Sequence, residues 1–545
     1  MFIRKTIKLL LILSAVIVLS AGPQTAAKTS KGKITIDTAP DLSLTEAIFF
    51  AFDDYSIPFK DNLKLTLVQA KKYSENPVLR RGPEGTHDSG HALIYGSVIK
   101  IGDKFKMWYL GTWRNKPDND WRVTAEKTGW WRPMCYAESN DGIHWTKPNL
   151  GLIEFAGSKK NNICLIKSEE PLLWRINDFL SVMYDEDDPD PARRYKLAYI
   201  AHIPRDEFKG GVRNVGLNEK MICAMICAVS ADGLTWNVIG DRPCVNEKFE
   251  VSGLYRFGNF YYATGQHIRP WAWLPDGSKC GRIMTAFRSP DLLNWSSARA
   301  FGFVRPGQFT SPRIPGEQTH MGAGMWNRGN VVIGLYGMWQ DGPAEKPKGA
   351  PGLYGTRGDL GLILTNDGIH FREPVPNFKT IPRGEPNQWD SIIITQGHAF
   401  ANVDDKTYLW YGHWDCEGQY RGQEIGLAQL RRDGFGYLSQ KDSSMPGHFI
   451  TCLANSTTGS AKLFANVEGA SVQSQLKVEL LDAFDRPIEK YSGKNAATVT
   501  KSGVRQQINW PKSPEGICLL KKPFALKVSL PSSGNVKVYA LYITE

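Results

Sequence analysis

The chain has 545 residues, of which 42% are hydrophobic and 22% charged, and its formal net charge at pH 7 is +11. This length exceeds one ordinary hydrophobic core and predicts two or three domains. Lysine and arginine are scattered along the chain, which argues against a nucleic-acid-binding surface. The 52 glycines and 32 prolines favour a turn-rich, all-β protein over a helical one.

Residues 1–27 have the features of a secretion signal. Three positive charges precede an apolar stretch from Leu9 to Leu19, and small residues continue through Ala27. This order is typical of a cleaved signal peptide and predicts a secreted or periplasmic protein. No later apolar run is long enough to span a membrane, so we expect no membrane contact after cleavage. The mature charge of about +8 fits either a generally basic surface or an anionic glycan partner.

A short motif with an acidic turn and an aromatic residue recurs five times along the chain. The copies read SNDGIHW, SADGLTW, SPDLLNW, TNDGIHF and RRDGF, and their turn aspartates are Asp141, Asp232, Asp291, Asp367 and Asp433. Short apolar strands, without a helical pattern, lie between the copies. This repeat predicts an all-β fold with a five-bladed β-propeller over residues 76–440. A propeller gathers the first strand of every blade around one axis, so distant residues converge on one funnel.

The regions on either side of the predicted propeller have different patterns. Residues 28–75 are predicted to form a strand-rich lead-in. Residues 441–545 contain alternating strands without the acidic turn and predict a C-terminal β-sandwich, whose last strand pairs back into it. A carbohydrate-binding module and a structural lid on the propeller both fit this sandwich, and we favour the structural role.

The nine cysteines show neither a disulfide framework nor the spacing of a zinc site. Cys223 and Cys227 lie four residues apart in an apolar strand and therefore point to the same face. This favours packing in the core for both. One or two disulfides are compatible with export, and their pairing is left open.

One ionisable residue precedes the predicted innermost strand of each blade. These residues are Asp88, Asp178, Glu250, His320 and Asp390. Because the innermost strands begin at one end of the channel, we expect these side chains to ring the funnel mouth. For each residue alone, a hydrogen bond to nearby backbone is an equally good explanation. Clustered carboxylates have pKa values that are pushed apart, which prepares one as an acid beside an ionised partner, as glycosidic bond cleavage requires.

The turn pattern, together with Asp88, Asp178 and Glu250, resembles the five-bladed glycoside hydrolases of the family 32 and family 43 type. The strings YAESNDGIHWTKPNLGLIEFAGSKKNN and WDSIIITQGHAF are similar to uncharacterised exported glycosyl hydrolases with a C-terminal β-sandwich. The resemblance implies that Asp88 is the base or nucleophile, that Asp178 orients and tunes the site, and that Glu250 is the acid. The chain lacks the WMNDPNG, RDP and EC motifs of fructan hydrolases, so the resemblance does not specify fructan as the substrate.

Further side chains are candidates for substrate contact, because aromatic rings stack on sugars and basic groups bind carboxylates or sulfates. They are His87, His91, Trp174, Arg175, His320, Trp389, Asp390 and His413. The same resemblance implies that no cofactor is required and allows a structural calcium or other ion in the central channel, with His398 facing it. No metal site is predicted among the funnel residues.

The sequence therefore predicts an exported glycoside hydrolase that acts on an oligo- or polysaccharide, neutral or anionic, through funnel carboxylates. The alternative is a non-catalytic, lectin-like propeller that binds glycans in the same funnel. A sialidase-like enzyme is a third interpretation, but sialidase boxes read S-x-D-x-G-x-x-W, and SNDGIHW lacks the residue between Asp and Gly. The sugar, its linkage, the stereochemical course and the oligomeric state are left open.

Overall fold

The computed structural model describes most of the chain as β-structure. The described residues are 34–113, 132–169, 179–204, 221–240, 243–245, 249–267, 282–305, 317–343, 345–350, 354–415, 422–513, 517–519, 522–532 and 535–545. Their helices are three single 3-10 turns, Pro191–Arg193, Glu489–Tyr491 and Gly493–Asn495. None of the helices among these residues has the length and apolar character needed to cross a membrane.

Six strands precede the first blade, and they belong to two different parts of the molecule. They are β1 (Ile34–Ile36), β2 (Ala39–Leu44), β3 (Glu46–Phe50), β4 (Phe59–Asp61), β5 (Leu63–Leu67) and β6 (Lys71–Lys72). Strands β1–β5 pair into the C-terminal sandwich, whereas β6 becomes the outermost strand of blade five. The described strands between residues 34 and 72 therefore pair with two different sheets.

The next nineteen strands of the described part of the chain form five groups whose strands pair antiparallel, except that β10 pairs in parallel with β14. Blade one contains β7 (His91–Ile101), β8 (Lys104–Thr112) and β9 (Met134–Ser139). Blade two contains β10 (Leu165–Lys167), β11 (Leu180–Tyr184), β12 (Tyr195–Pro204), β13 (Met221–Ser230) and β14 (Thr235–Val238). Blade three contains β15 (Glu250–Phe257), β16 (Phe260–His267), β17 (Ile283–Ser289) and β18 (Ala300–Phe303). Blade four contains β19 (Glu317–Asn327), β20 (Val332–Gln340), β21 (Arg357–Thr365) and β22 (Lys379–Ile381). Blade five contains β23 (Ile393–Val403), β24 (Lys406–Trp414) and β25 (Ile425–Arg431).

The innermost strands β7, β11, β15, β19 and β23 contact one another in a closed ring. Serine side chains join neighbouring strands, since Ser97 Oγ accepts a hydrogen bond from Val182 N at 2.7 Å and Ser181 Oγ accepts one from Leu254 N at 2.9 Å. Strand β23 pairs in parallel with β7 and completes the circle. The fold is therefore a closed β-propeller. We call the end at which the innermost strands begin the upper end, and the opposite end the lower end.

Four of the five acidic turns have the same local geometry, and they lie at the lower end, where the third strand of each blade stops. In the first, Ser139 Oγ and Asp141 Oδ1 are 2.9 Å apart, and Asp141 Oδ1 accepts the N–H groups of Ile143 and His144 at 2.8 Å. The same bonds recur around Asp232, Asp291 and Asp367. An aspartate that caps its own turn explains why the motif repeats.

These turns also fasten neighbouring blades to one another. Trp410 of blade five donates its indole N–H to Gly142 O at 2.9 Å, and Trp108 of blade one donates to Gly233 O at 2.6 Å. Gly142 has φ +75°, and a Cβ there would lie 2.8 Å from the Trp410 ring. Glycine therefore satisfies both the turn and the close packing against the adjacent blade.

The fifth motif is different, because Asp433 does not cap a hairpin within blade five. Its buried carboxylate forms an ion pair with Arg328 and accepts hydrogen bonds from Asn402 Nδ2 at 3.0 Å and Tyr542 Oη at 2.9 Å. At this point the chain leaves the propeller for the sandwich, and β6 supplies the outer strand instead. Asp433 is thus a junction residue that joins blade four, blade five and the sandwich.

The remaining strands complete the sandwich. They are β26 (Gly436–Gln440), β27 (Gly447–Ile450), β28 (Ala454–Ser456), β29 (Ser460–Glu468), β30 (Leu476–Asp482), β31 (Ala497–Val499), β32 (Gly503–Gln507), β33 (Ile517–Leu519), β34 (Phe524–Leu530) and β35 (Lys537–Thr544). As expected, the last strand pairs back into this domain, with β29 and β3 as neighbours. One continuous core includes Leu463 and Val538 of the sandwich together with Tyr255 and Tyr336 of blades three and four.

Candidate functional site

Asp88, the predicted base, lies at the upper end of blade one but is 1% exposed. Its Oδ2 forms an ion pair with Lys147 Nζ at 2.5 Å and accepts a hydrogen bond from Tyr109 Oη at 2.8 Å. Tyr109 is on the second strand of the blade, and Lys147 follows Thr146, whose backbone pairs with β9 at the outer side. The carboxylate therefore points outward along the blade, away from the axis.

The electrostatics of Asp88 agree with this arrangement. Burial alone would raise the pKa of the Asp88 carboxyl. The Lys147 ammonium and the hydrogen bonds to the carboxylate lower this pKa by more than burial raises it, so the net pKa lies below its ordinary value. The carboxylate is thus held ionised by its partners. A buried, paired carboxylate of this kind favours a structural role over that of a catalytic base.

Asp390 of blade five repeats this arrangement closely. Its Oδ2 is 2.6 Å from Lys72 Nζ and accepts a hydrogen bond from Tyr411 Oη at 2.9 Å. The tyrosine follows the aspartate by 21 residues in both blades. In both blades the lysine comes from the outer side, from strand β6 in blade five and from the segment that pairs with β9 at Thr146 in blade one. We call the two arrangements the blade-one clasp (Asp88, Tyr109, Lys147) and the blade-five clasp (Asp390, Tyr411, Lys72).

Each clasp holds a loop of the same sequence pattern, R-G-x5-D-S, at residues 81–89 and 383–391. The glycine N–H donates to the aspartate carbonyl in both loops, at 3.2 Å from Gly82 to Asp88 and at 3.0 Å from Gly384 to Asp390. This repeated string was the signal in the sequence that could have identified Asp88 and Asp390 as structural. The lysines could not have been found in this way, since Lys147 and Lys72 have no common spacing from their aspartates.

The predicted substrate-contact residues beside the clasps are packed within their own blades. His87 is buried, and its Nε2 is 2.6 Å from Asn162 Oδ1; burial lowers its pKa. His91 begins β7 and is half-buried opposite Thr112. In blade five, buried His413 accepts a hydrogen bond from the Glu424 N–H at 3.2 Å and contacts the Trp389 ring edge-on at 4.7 Å. Of these side chains, His91 and Trp389 are partly exposed.

Glu250 is placed differently, because it is half-buried at the upper end of β15 in blade three. Gln266, directly opposite on β16, donates its side-chain amide to Glu250 Oε2. The next residues along the two strands, Phe249 and His267, are buried with their rings 5.5 Å apart, and His267 Nδ1 is 2.6 Å from Thr285 Oγ1. The Glu250 carboxylate is therefore bound by a neighbouring side chain of the same sheet, in a residue that is half-buried.

An aromatic cluster lies on the next two blades and consists of His320, Trp339 and Trp414. The His320 ring stacks on Trp339 with centroids 4.2 Å apart, and the half-buried Trp414 ring is 6.4 Å from His320. The Arg282 guanidinium covers Trp339 at 4.7 Å. Burial and the nearby Arg282 hold the pKa of His320 well below its ordinary value, so the imidazole is neutral. Sequence reasoning missed Trp339 and Arg282.

Glu250 and His320 lie at the upper ends of two neighbouring innermost strands, β15 and β19. Ser252 Oγ donates to Ala323 O at 3.4 Å, and a Cβ on Gly322 would lie 2.5 Å from Ser252 Oγ. Glu250 precedes Ser252 by two residues, and His320 precedes Gly322 by two. Strands β15 and β19 run side by side from the upper end and are both irregular at this point, so Glu250 and His320 lie near the same end of neighbouring strands.

Three predicted site residues lie outside the described part of the chain. They are Asp178, the predicted blade-two carboxylate, and the candidate contacts Trp174 and Arg175. Strand β11 begins two residues after Asp178, at Leu180, and contacts β15.

The channel residue His398 is bound to the backbone of a neighbouring blade. Its Nδ1 accepts a hydrogen bond from Met325 N at 3.3 Å, and burial lowers its pKa to about 4. A neutral imidazole that accepts at Nδ1 carries its hydrogen on Nε2, which then has no lone pair for a metal. His398 lines a cavity of about 1060 Å³ at the lower end of the channel. Across the described ranges, no three His, Cys, Asp or Glu side chains cluster as metal ligands.

Comparisons with known proteins give similar structures but no sequence family. No family model matches the chain, and no curated protein matches it. It is similar to a glycosyl hydrolase from Bacteroides ovatus, with a TM-score of 0.42 and 12% identity over 67% of this chain and 94% of that chain. A GH32 beta-fructofuranosidase from Bombyx mori gives a TM-score of 0.37 at 12% identity, over 85% of this chain and 94% of that chain. The function of this chain therefore has to be argued from its own residues.

Proposed function

We propose that this protein is an exported glycoside hydrolase that cleaves a glycosidic bond at the upper end of the propeller, with Glu250 as the acid. The observation that carries the proposal is the position of Glu250, a half-buried residue bound by Gln266 at the upper end of β15, beside the strand β19 that carries His320 of the aromatic cluster. A carboxyl in this setting can deliver a proton to a leaving oxygen, while an aromatic ring beside it stacks on the sugar.

Hydrolysis requires a second carboxylate across the sugar ring from the acid. Asp88 is disfavoured for this role because Lys147 and Tyr109 occupy its buried carboxylate. We therefore transfer the role to Asp178, which precedes the innermost strand of blade two, the neighbour of blade three. This assignment rests on the sequence position of Asp178 and on the contact between β11 and β15.

Blades four and five also form a cleft, and neither Glu250 nor the three residues of the aromatic cluster line it. A cleft of about 640 Å³ is lined by residues 382–388 and by Asp415, which follows Trp414. Lys379 and Arg383 also line this cleft, and both form ion pairs with Asp359, at 2.9 Å and 2.7 Å. Because these opposite charges are already paired, the cleft favours neither a neutral nor an anionic sugar.

A non-catalytic glycan-binding propeller is the second candidate, and one observation favours it. With Asp88 closed by its clasp, one of the two predicted catalytic carboxylates in the described residues is unsuited to proton transfer. A lectin would need the aromatic cluster and Glu250 for hydrogen bonding, but no pair of carboxylates.

A screen with catalytic variants separates the two candidates. The full chain is incubated with a panel of plant and algal polysaccharides, and the products and their anomers are followed by NMR. We expect the wild type to release reducing ends from at least one substrate, and Glu250→Gln and Asp178→Asn to lower the rate by about 10²–10⁴-fold each. Binding of a glycan with no cleavage by the wild type would replace the hydrolase by the lectin. Undiminished turnover by Glu250→Gln would remove the assignment of the acid.

A further inference from the structure

The innermost strand of blade four is irregular at His320, one member of the aromatic cluster. Strand β19 pairs with β20 through His320 and next through Ala323, so residues 321–322 form a bulge between them. Gly322 in this bulge has φ +68°. Bulges beside functional sites re-aim the side chains that flank them. The direction of the His320 ring therefore depends on the groups that hold the bulge.

Neighbouring blades hold the bulge from two sides, and blade five makes the shorter bonds. Gln396 of β23 donates its side-chain amide to His320 O at 2.8 Å and to Gly322 O at 2.9 Å. On the other side, Ser252 Oγ of β15 is 3.4 Å from Ala323 O. Gln396 is 3% exposed, and a buried hydrogen bond is stronger than one in contact with water.

The amide of Gln396 does more than fill space. Its Oε1 has no hydrogen-bond partner among the described residues. Turning the amide over would set this oxygen against two carbonyl oxygens, so the two bonds fix its orientation. A buried acceptor without a partner lowers stability, and packing alone would favour an apolar side chain at this position. The two donors of the amide are therefore the reason for a glutamine here.

Glycines beside Gln396 leave the room that its amide needs. Gly337 lies opposite His320 on β20, and a Cβ there would be 3.1 Å from Gln396 Oε1 and 2.8 Å from His320 O. A Cβ on Gly324 would collide with Gly397 O, so β19 and β23 approach closely just beyond the amide. Blade five thus reaches the backbone of His320 directly.

Blade five also supplies one ring of the aromatic cluster. Trp414 of β24 lies opposite Ile393, which precedes Gln396 by three residues on β23. The Trp414 ring is 6.4 Å from His320 and 6.1 Å from Trp339. The cluster is therefore divided between blades four and five, and Gln396 joins the two blades at the residue where their rings meet.

We propose that Gln396 is a positioning residue for the sugar-binding surface. By holding the β19 bulge it fixes the His320 ring, and with it the arrangement of Trp339 and Trp414. The inference rests on the proposed function, in which the aromatic cluster stacks on the sugar. Gln396 acts through His320 and does not touch the substrate. Loss of its donors should therefore weaken sugar binding and leave proton transfer from Glu250 unchanged.

Fluorine NMR tests the positioning role without a substrate. The full chain is labelled with fluorotryptophan, and the resonances of Trp339 and Trp414 are assigned with Trp339→Phe and Trp414→Phe. Gln396→Met keeps the length of the side chain but removes both donors, and it should shift both resonances. Gln396→Leu removes the same donors in a different shape and should shift them as well.

Thr395→Val is the matched control for these variants. Thr395 is the buried neighbour of Gln396 on the same strand, and its Oγ1 has no hydrogen-bond partner among the described residues. Both resonances should keep their wild-type positions in this variant. Wild-type positions in Gln396→Met and Gln396→Leu, or equal shifts in Thr395→Val, would overturn the proposal.

Kinetics test the consequence for the sugar, on the polysaccharide that the wild type cleaves fastest in the screen. Gln396→Met should raise KM about tenfold and keep kcat within about twofold, because stacking on aromatic rings contributes up to about tenfold in binding. Thr395→Val should keep both values. A fall in kcat at unchanged KM, or wild-type kinetics in Gln396→Met, would overturn the proposal. Absence of cleavage by the wild type would remove the hydrolase, while the fluorine resonances would still support or overturn the positioning role.

Discussion

The upper ends of blades one and three place an acidic residue at the same sequence position but in opposite surroundings. The buried Asp88 carboxylate is bound by Lys147 and Tyr109 and points outward along its blade, whereas Glu250 is half-buried and bound by Gln266. An ionised group that is taken out of water needs a partner charge, and Asp88 has one. The difference teaches that position on the innermost strand does not by itself decide whether a carboxylate is catalytic or structural.

The largest expected effect on stability comes from opening the blade-one clasp. Asp88→Asn should lower the free energy of unfolding by about 3 kcal/mol, because it removes the partner charge of Lys147 within a buried site. The measurement is denaturant unfolding at pH 7. The exposed Asp187→Asn is the control and should change stability by no more than about 0.5 kcal/mol. Equal stability of Asp88→Asn and wild type would show that Asp88 is not a clasp.

The pH dependence of stability separates the clasp from the buried channel histidine. His398 titrates at 6.5 when unfolded and at about 4 when folded, so the unfolded chain takes up the proton first as the pH falls. Stability should decline by about 3 kcal/mol between pH 6.5 and pH 4 through this residue. His398→Gln, which retains an acceptor for Met325 N, should remove this stage of acid destabilisation.

Asp88 accounts for the loss of stability at lower pH. Its folded pKa is lowered, so its contribution is complete above the unfolded value of 3.8 and is lost as the pH falls through the folded value. Asp88→Asn should therefore flatten the stability curve only below about pH 4. A change in the Asp88→Asn curve confined to the range between pH 4 and 6.5 would contradict this separation of the two groups.

A substitution at the lower end of the propeller tests how much the contact between neighbouring blades contributes to stability, and it leaves Asp88 and Glu250 unchanged. Gly142→Ala should destabilise by about 2 kcal/mol, because the added Cβ meets the Trp410 ring and the residue has a positive φ. Gly151→Ala is the matched control, since Gly151 has φ +71° but nothing within 4 Å of the new Cβ. Urea unfolding of both variants gives the difference due to the blade contact. Equal losses would show that this contact contributes little.

The smallest predicted effect concerns the support of Glu250. Gln266→Leu removes the amide that holds the carboxylate and should lower kcat about tenfold with little change in KM, because the acid is less well oriented. The readouts are kcat and KM on the substrate found by the screen. Gln266→Glu is a sharper variant, since a second carboxyl beside Glu250 should also shift the acidic limb of the pH–rate profile. Unchanged kinetics and pH profile in both variants would remove Gln266 from the site.

The sequence was sufficient to predict the propeller because the acidic turns are local. Asp141, Asp232, Asp291 and Asp367 each bond within five residues, so their geometry is visible in the string itself. The fifth copy of the motif was predicted as the same kind of turn, but Asp433 instead binds Arg328 and Tyr542, each more than a hundred residues away along the chain. Its RRDGF string resembles the other turns but lacks the Ser or Thr two residues before the aspartate.

Parts of the fold and site that depend on distant partners could not be predicted in the same way. Strand β6 closes blade five with two residues, too short for a periodic signal. The role of Asp88 depends on Lys147, which is 59 residues further along the chain. The strands that carry Glu250 and His320, β15 and β19, become neighbours only when the blades are assembled around the axis. The sequence spacing could identify the acidic residues that precede the innermost strands, but it could not predict the direction in which each side chain points.

The central claim is tested most directly by measuring turnover and unfolding on the same two variants, Glu250→Gln and Asp88→Asn, with one cleaved substrate. The account predicts that Glu250→Gln keeps the wild-type free energy of unfolding within about 0.5 kcal/mol and loses about 10³-fold in kcat. It predicts that Asp88→Asn loses about 3 kcal/mol of stability and, well below its Tm, retains kcat within about tenfold. The reverse pattern, a stable but inactive Asp88→Asn beside an active Glu250→Gln, would contradict the account.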